Sequence, residues 1–384
     1  MRYKLQDIVD VTMGQSPKSE FYNNDGEGVP FLQGNRTFGF KYPTFDTFTT
    51  MVTKEAKAGD VIMSVRAPVG DLNITPVDIC LGRGVCSLRM KNGNQEFLYY
   101  MMKYYIPQLM NKESGTVFGS VNRNDIIELE IDIPNDAEKQ EKISRFLSML
   151  DEKIQINNKI NNNLLHQAIA LFDNAQQQAE SISYVELGTL VDVKGGKRLP
   201  KGVNLISQPN SHPYIRVRDL NNVIFTSLSA DFEYVDDETQ KSISRYIVST
   251  GDVLISIVGT IGLTAIVDKT LNNANLTENC VKLTNMKSVT PEYLLLYLRS
   301  SAGVEAIAKG TVGAVQLKLP IKNIQAIPIP LLEATEMQKL SEILSIIFNQ
   351  ISANVIEAKR LSEIRDTLLP KLMSGEIDVS SVQL

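Results

Sequence analysis

A duplication of long period constrains this chain more than any other feature. Leu5, Ile8, Val9, Asp10, Val11 and Gly14 recur as Leu187, Leu190, Val191, Asp192, Val193 and Gly196. Pro30-Phe31-Leu32 returns as Pro213-Tyr214-Ile215, and Gly59-Asp60-Val61-Ile62-Met63-Ser64 as Gly251-Asp252-Val253-Leu254-Ile255-Ser256. Gly115-Thr116-Val117 matches Gly310-Thr311-Val312, and Ile131-Asp132-Ile133-Pro134 matches Ile327-Pro328-Ile329-Pro330. The offset grows from 182 to 196 along the chain, so the second copy carries longer loops. Two copies are too few for a solenoid, which stacks three or more short repeats. The chain reads as a pseudo-dimer written on one polypeptide.

Each copy has the same internal grain. A Gly-Asp turn precedes an apolar run, Val61–Val65 or Val253–Val258, which predicts a strand buried on both faces. A helix is predicted at about 95–112 and again at 291–308, the latter started by Thr290 as cap and Pro291 at the first helical position. Leu129–Pro134 and Ala326–Pro330 alternate at period two and stop at proline, as edge strands do. Residues 1–135 and 181–332 are thus read as two mixed α/β domains, each large enough for its own core.

A long helix is predicted after each domain, in segments 136–180 and 333–384. The first shows 3-4 spacing at Ile143, Leu147, Leu150, Ile154, Asn157, Asn161, Leu164, Ala168 and Leu171. The second, 197 residues on, reads Leu340, Leu344, Ile347, Ile351, Asn354, Ala358, Leu361, Arg365 and Leu368. Four heptads of this kind predict a coiled-coil seam. Asn157 and Asn354 occupy the same place in the two series, and a polar seam residue costs stability while fixing register. Two unrelated amphipathic helices would explain the spacing but not the matched asparagines. Arg365 against Ala168 is the one departure, an imperfection near the end of the second seam.

Composition excludes several classes. The net charge of −5 divides into −2, −2, +2 and −3 over the four segments, so a polyanion would have to be met by local basic loops rather than a basic field. Three cysteines without a CxxC pair predict reduced thiols, and a terminus without an apolar signal core predicts a cytoplasmic protein. No apolar run approaches the length of a membrane span. The two histidines, His166 on a helix and His212 before Pro213, suggest no metal site. Lys194-Gly195-Gly196-Lys197 lacks the rest of a phosphate loop, and HExxH, GxSxG and GxGxxG do not occur. No catalytic residue and no cofactor of the chain's own is expected.

The loops carry more information. Phe31-Leu32 runs into Gln33, Asn35 and Arg36, with Lys41 after them, and Tyr214-Ile215 runs into Arg216 and Arg218, with Asn221 and Asn222 after them. Gln, Asn and Arg are the side chains that bind adenine and guanine edges in pairs of hydrogen bonds. Each alone reads first as a solvated loop residue; their equivalent placement favours a joint role. Gln15 and Lys18 match Lys197, Arg198 and Lys201 after the first strand of each copy, where charge would suit backbone phosphates. Arg66 and Arg83 have Val258 and Glu278 opposite them, so either arginine is also readable as a buried ion-pair partner.

Gln140-Glu141-Lys142-Ile143, Phe146-Leu147 and Leu150-Asp151-Glu152-Lys153-Ile154 resemble the signature that follows the first recognition domain in specificity subunits of type I restriction–modification systems. Gln338-Lys339-Leu340 with Leu344 and Ile351 resembles the second, and Leu368-Leu369-Pro370-Lys371-Leu372-Met373-Ser374-Gly375-Glu376-Ile377 resembles the C-terminal helix end. The resemblance covers essentially the whole chain, and its strength lies in the order domain, helix, domain, helix. It implies two target recognition domains for the halves of a split double-stranded DNA sequence, joined by two helices pairing as an antiparallel coiled coil. It also implies partners: two modification subunits that bind S-adenosylmethionine and methylate adenine, and restriction subunits that act as motor and nuclease. Two other readings compete, a recognition module of another type of methyltransferase and a two-domain adaptor that binds protein. The missing NPPY-like and FxGxG segments weigh against the first, and DNA binding with a modification subunit separates out the second.

Overall fold

The computed structural model describes residues 2–111 and 119–379. Gly115-Thr116-Val117, the first copy's member of one repeat pair, lies outside the described residues. The chain forms two compact units, one of Met1–Asn158 with Val355–Leu384 and the other of Lys159–Asn354.

In the first unit the central sheet holds β1 (Val9–Met13), β2 (Val61–Ser64), β3 (Leu72–Ile74) and β4 (Val85–Met90) in the order β1-β4-β2-β3, all antiparallel. In the second, β5 (Asp192–Gly195), β6 (Phe225–Thr226), β7 (Val253–Ser256), β8 (Thr264–Val267) and β9 (Cys280–Thr284) run β5-β9-β7-β8-β6, the same order with β6 added in parallel at one edge. As predicted for strands covered on both faces, every residue of β2 and β7 is buried.

The repeated Gly-Asp pair has a structural cause. Gly59 and Gly251 both have φ near +86°, a conformation that side chains disfavour. Asp60 then accepts the Lys57 amide at 2.9 Å and Asp252 the Ser249 amide at 2.8 Å, closing the turn into the central strand. Neither aspartate is left as a bare buried charge: Arg89 lies 2.6 Å from Asp60 and Lys282 lies 3.6 Å from Asp252.

Helix α1 (Gln95–Asn111) covers the first sheet. In the second copy the predicted helix is two, α3 (Pro291–Arg299) and α4 (Ser301–Gly310). Ser300 adopts an extended φ/ψ and accepts the Gly303 amide at 3.2 Å, ending one helix while capping the next. The closing segments pair with the opening strands of their copies, Glu130–Asp132 with Arg2–Lys4 and Pro328–Leu331 with Ser183–Glu186.

The long helices are α2 (Ala137–Gln178) and α5 (Ala334–Ser374). Within each unit their portions pack antiparallel. In the first, Asp151 meets Arg365 while Asn157 and Lys153 meet Glu357; in the second, Asn161 meets Asn354 and the Ile351 carbonyl. Ile143, Leu147, Ile154, Leu340, Leu344 and Ile351 are buried, as their spacing predicts. Towards the helix ends the buried positions slip by one residue, with Phe172 and Leu369 buried at 2% and 7% exposure where the strict series names Leu171 and Leu368. A straight helix turns every 3.6 residues, so a 3.5-residue pattern drifts off its face. Each matched asparagine is paired within its own unit: Asn157 donates to Glu357 at 2.7 Å, and Asn354 to Asn161 at 2.8 Å. Arg365 is no imperfection, because Asp151, wholly buried, lies 2.6 Å from its guanidinium.

Candidate nucleic-acid interface

At one edge of each unit three loops are tied together by main-chain bonds. In the first unit, Gly14 N–H donates to Val85 O at 3.0 Å and Gln15 N–H to Leu81 O at 2.9 Å, fixing the loop after β1. Gly82 N–H donates to Leu32 O at 2.7 Å and Gly84 N–H to Gln33 O at 2.9 Å, adding the loop after Phe31-Leu32. In the second unit the same frame is made by Gly196 N–H to Cys280 O at 3.0 Å, Lys197 N–H to Leu276 O at 2.8 Å and Thr277 N–H to Ile215 O at 3.0 Å. Gly14 and Gly196 are obligatory, because a Cβ there would stand 2.0 Å from the carbonyl oxygens of Gly82 and Thr277. Lys194-Gly195-Gly196-Lys197 therefore owes Gly196 to loop packing.

The frame brings together most of the residues singled out from sequence. Gln15, Lys18, Gln33 and Arg36 are exposed on the first unit's loops, and Arg66 is exposed just after Val65, whose amide binds Gly84 O. Asn35 is half-buried and donates to Asp71. Lys197, Arg198, Lys201, Arg218 and Asn221 are exposed on the second unit's loops. A groove of 290 Å³ runs along Gln33–Thr37 and is walled by Asp46 and Thr47.

Two residues sit differently. Lys41 points inward, 2% exposed, with its ammonium 2.7 Å from Glu96 and 3.1 Å from Ser148 Oγ and close to the Tyr99 and Tyr100 rings. A buried, paired ammonium has no donor to offer an exterior ligand, so Lys41 belongs to the packing of the first unit and leaves the interface. Arg216 is largely covered, its guanidinium against Glu233 and 3.8 Å from Asp219.

Carboxylates partner the basic groups. Arg36 holds the Asp46 carboxyl below the ordinary range, aided by Thr47. Arg198 lies 2.7 Å from Glu278; burial alone would raise the Glu278 carboxyl, but Arg198, Thr277 and its own amide bring it below the usual value. Asp219 goes the other way, pushed up to about 6 by burial that outweighs Arg218. Glu278 reaches Arg198 across 80 residues and Asp46 reaches Arg36 across 10, so neither pairing is a local pattern, whereas Asp219 adjoins Arg218 in the chain. Lys318 escaped the sequence reading too: it is exposed, and its main chain forms an isolated bridge to Val258, the residue opposite Arg66.

Among the described residues no helix is long and apolar enough to cross a membrane. Cys80, Cys86 and Cys280 are buried and unbridged.

The chain is similar to several specificity subunits of type I restriction systems. The MjaIX specificity subunit of a type I restriction enzyme from Methanocaldococcus jannaschii is 22% identical over 99% of this chain and 94% of its own length. The HindI specificity subunit from Haemophilus influenzae is 25% identical over 84% and 88%. The MjaX specificity subunit from M. jannaschii is 38% identical over 151 residues, a match spanning 35% of that relative. The crystal structure of the S subunit of a type I restriction–modification system from M. genitalium aligns over 97% of this chain and 96% of its own, with a TM-score of 0.58 at 18% identity, a likeness of fold. The model of the type I restriction modification DNA specificity domain matches residues 1–166 and again 180–365, one match for each copy of the duplication, and the chain belongs to that family.

Proposed function

We propose that this chain is the DNA-reading subunit of a type I restriction–modification complex, with the three-loop edge of each unit reading one half of a bipartite target. The observation that carries this reading is the recurrence of one loop frame in both units, each time bearing amide, ammonium and guanidinium groups. Base identity is read by paired hydrogen bonds from Arg, Gln and Asn, while lysines and arginines on flanking turns bind phosphates. Gln15, Lys18, Gln33, Asn35, Arg36 and Arg66 serve the first half-site; Lys197, Arg198, Lys201, Arg218 and Asn221 serve the second, with Arg216 behind them. The helices set the gap between half-sites and receive two modification subunits, which bring S-adenosylmethionine and the methyl-transfer chemistry; restriction subunits complete the complex in the cytoplasm. The chain itself supplies recognition and no catalytic group.

Replacing residues 1–135 by the matching domain of a relative, then sequencing the methylated sites made with the modification subunits, tests this reading. One half of the target should change and the other persist; a change in both, or in neither, refutes it. A heptad inserted into α2 and α5 lengthens each by about 10 Å and should widen the gap by about three base pairs. Radiolabelled methyl transfer by the purified chain alone would overturn the non-catalytic assignment.

A further inference from the structure

In both copies an arginine of the loop after Phe31 or Tyr214 is met by a carboxylate from the segment hydrogen-bonded to that strand. In the first, Phe31 N–H donates to Thr47 O at 2.9 Å, and both oxygens of the adjacent Asp46 lie 2.8 Å from Arg36 Nη2. Thr47 Oγ steadies Asp46 at 3.0 Å. In the second, Tyr214 N–H donates to Glu233 O at 2.9 Å. The Glu233 carboxylate touches Arg216 and lies 3.7 Å from Arg218 Nη2; Asp219 lies 3.6 Å from Arg218 Nε, and Arg218 Nη2 donates to Asp231 O at 3.3 Å. The two acids do not share one repeat offset: Asp46 follows Arg36 by 10 residues and Glu233 follows Arg218 by 15. The same juxtaposition is thus reached by different chain paths.

We propose that Asp46 and Glu233 are positioning residues that set Arg36 and Arg218 to bind guanine, one in each half-site. The inference rests on the DNA-reading function proposed above. A guanidinium offers five donors in a planar fork, so a carboxylate on one edge orients the side chain while other donors face outward. Guanine answers with two acceptors, O6 and N7, in the major groove. Setting the side chain before binding removes part of the ordering cost, and the nearby negative charge opposes attachment to phosphate at random sites. Stability gives little reason for the first pair, because Arg36 and Asp46 side chains are 73% and 50% exposed and such surface pairs contribute little. Arg216, 22% exposed and wedged against Glu233, supports the second carboxylate from behind.

The test uses the full chain with its modification subunits and a library of DNA duplexes randomised across both half-sites. Asp46→Asn should reduce the preference for one guanine in the first half-site by about ten-fold and leave the second half-site unchanged. Glu233→Gln should do the reverse, and both should bind random DNA more tightly. Asp46→Glu should restore much of the lost preference. If Arg36→Ala and Arg218→Ala abolish a base preference that the amide variants keep, the positioning role is overturned. Equal weakening on all sequences would assign the arginines to phosphate and overturn it as well. Should Glu233→Gln melt well below the parent, the exposed Asp46 pair carries the test alone. A parent complex with no sequence preference would instead sink the DNA-reading function itself.

Discussion

In the first unit the helix seam joins its domain through charge, whereas in the second the equivalent positions are apolar. Asp151 is fully buried, with Oδ1 2.6 Å from Arg365 Nη1 and Oδ2 accepting the Tyr100 hydroxyl at 2.7 Å. The repeat offset of 197 residues puts Phe348 at the place of Asp151 and pairs Arg365 with Ala168, while Leu296 stands for Tyr100 at an offset of 196. Phe348 is buried and meets the Phe225 ring edge-on at 6.2 Å. One ancestral geometry therefore admits two fillings. The apolar filling gains from burial alone, but the ionic one must offset desolvation and fails if either partner is lost.

That asymmetry can be broken experimentally. Arg365→Ala strands a buried carboxylate and should destabilise the first unit by about 3–5 kcal/mol in denaturant unfolding of the full chain. Adding Asp151→Phe copies the second unit's filling and should recover most of the loss. If the single substitution costs under about 1 kcal/mol, the pair is no better than a surface salt bridge and the contrast collapses.

A smaller effect is expected at Tyr100, whose phenol is held far above its ordinary pKa by burial and by Asp151. Tyr100→Phe removes one hydrogen bond to a charged acceptor and should cost about 1.5–3 kcal/mol. In the Asp151→Phe/Arg365→Ala background the same change should be close to neutral, and an unchanged cost would show that Tyr100 acts through packing instead.

The smallest effect concerns a half-buried charge of the second unit. Asp219 titrates at about 6 in the fold against an ordinary value of 3.8, so the folded state favours its protonated form. Its stabilising contribution is fully present below 3.8 and lost as pH rises through about 6. Asp219→Asn should therefore raise the unfolding free energy at about pH 8 by about 1 kcal/mol or less, with the gain vanishing near pH 4. A gain independent of pH would assign the effect to packing among Arg216, Arg218 and Glu233.

The duplication, the strands after each Gly-Asp turn and the paired helices were legible because each is a local pattern repeated at a near-constant offset. The break at Ser300 was not, since periodicity runs through it and only the Ser300 cap reveals it. Arg365 read as a flaw because its partner lies 214 residues away. Lys41 read as a surface donor for a related reason: nothing near it in sequence announces Glu96 and Ser148. Loop residues were legible as candidates through their equivalent placement, but the acids that restrain them arrive along different chain paths in the two copies.

The loop frames are closed by main-chain amides and carbonyls meeting at Gly14 and Gly196, to which the Arg198–Glu278 pair adds a side-chain tie in the second unit. Side chains such as Gln33 or Lys201 can therefore be exchanged without removing an anchor. A protein whose targets must diversify gains from this separation, because a mutation that changes what is read leaves the loop where it was. Substituting either glycine has the opposite result: the new Cβ would enter a neighbouring carbonyl and displace every reader on that loop at once. On the proposed function, variation under selection for new targets should accumulate between the anchors and spare the two glycines.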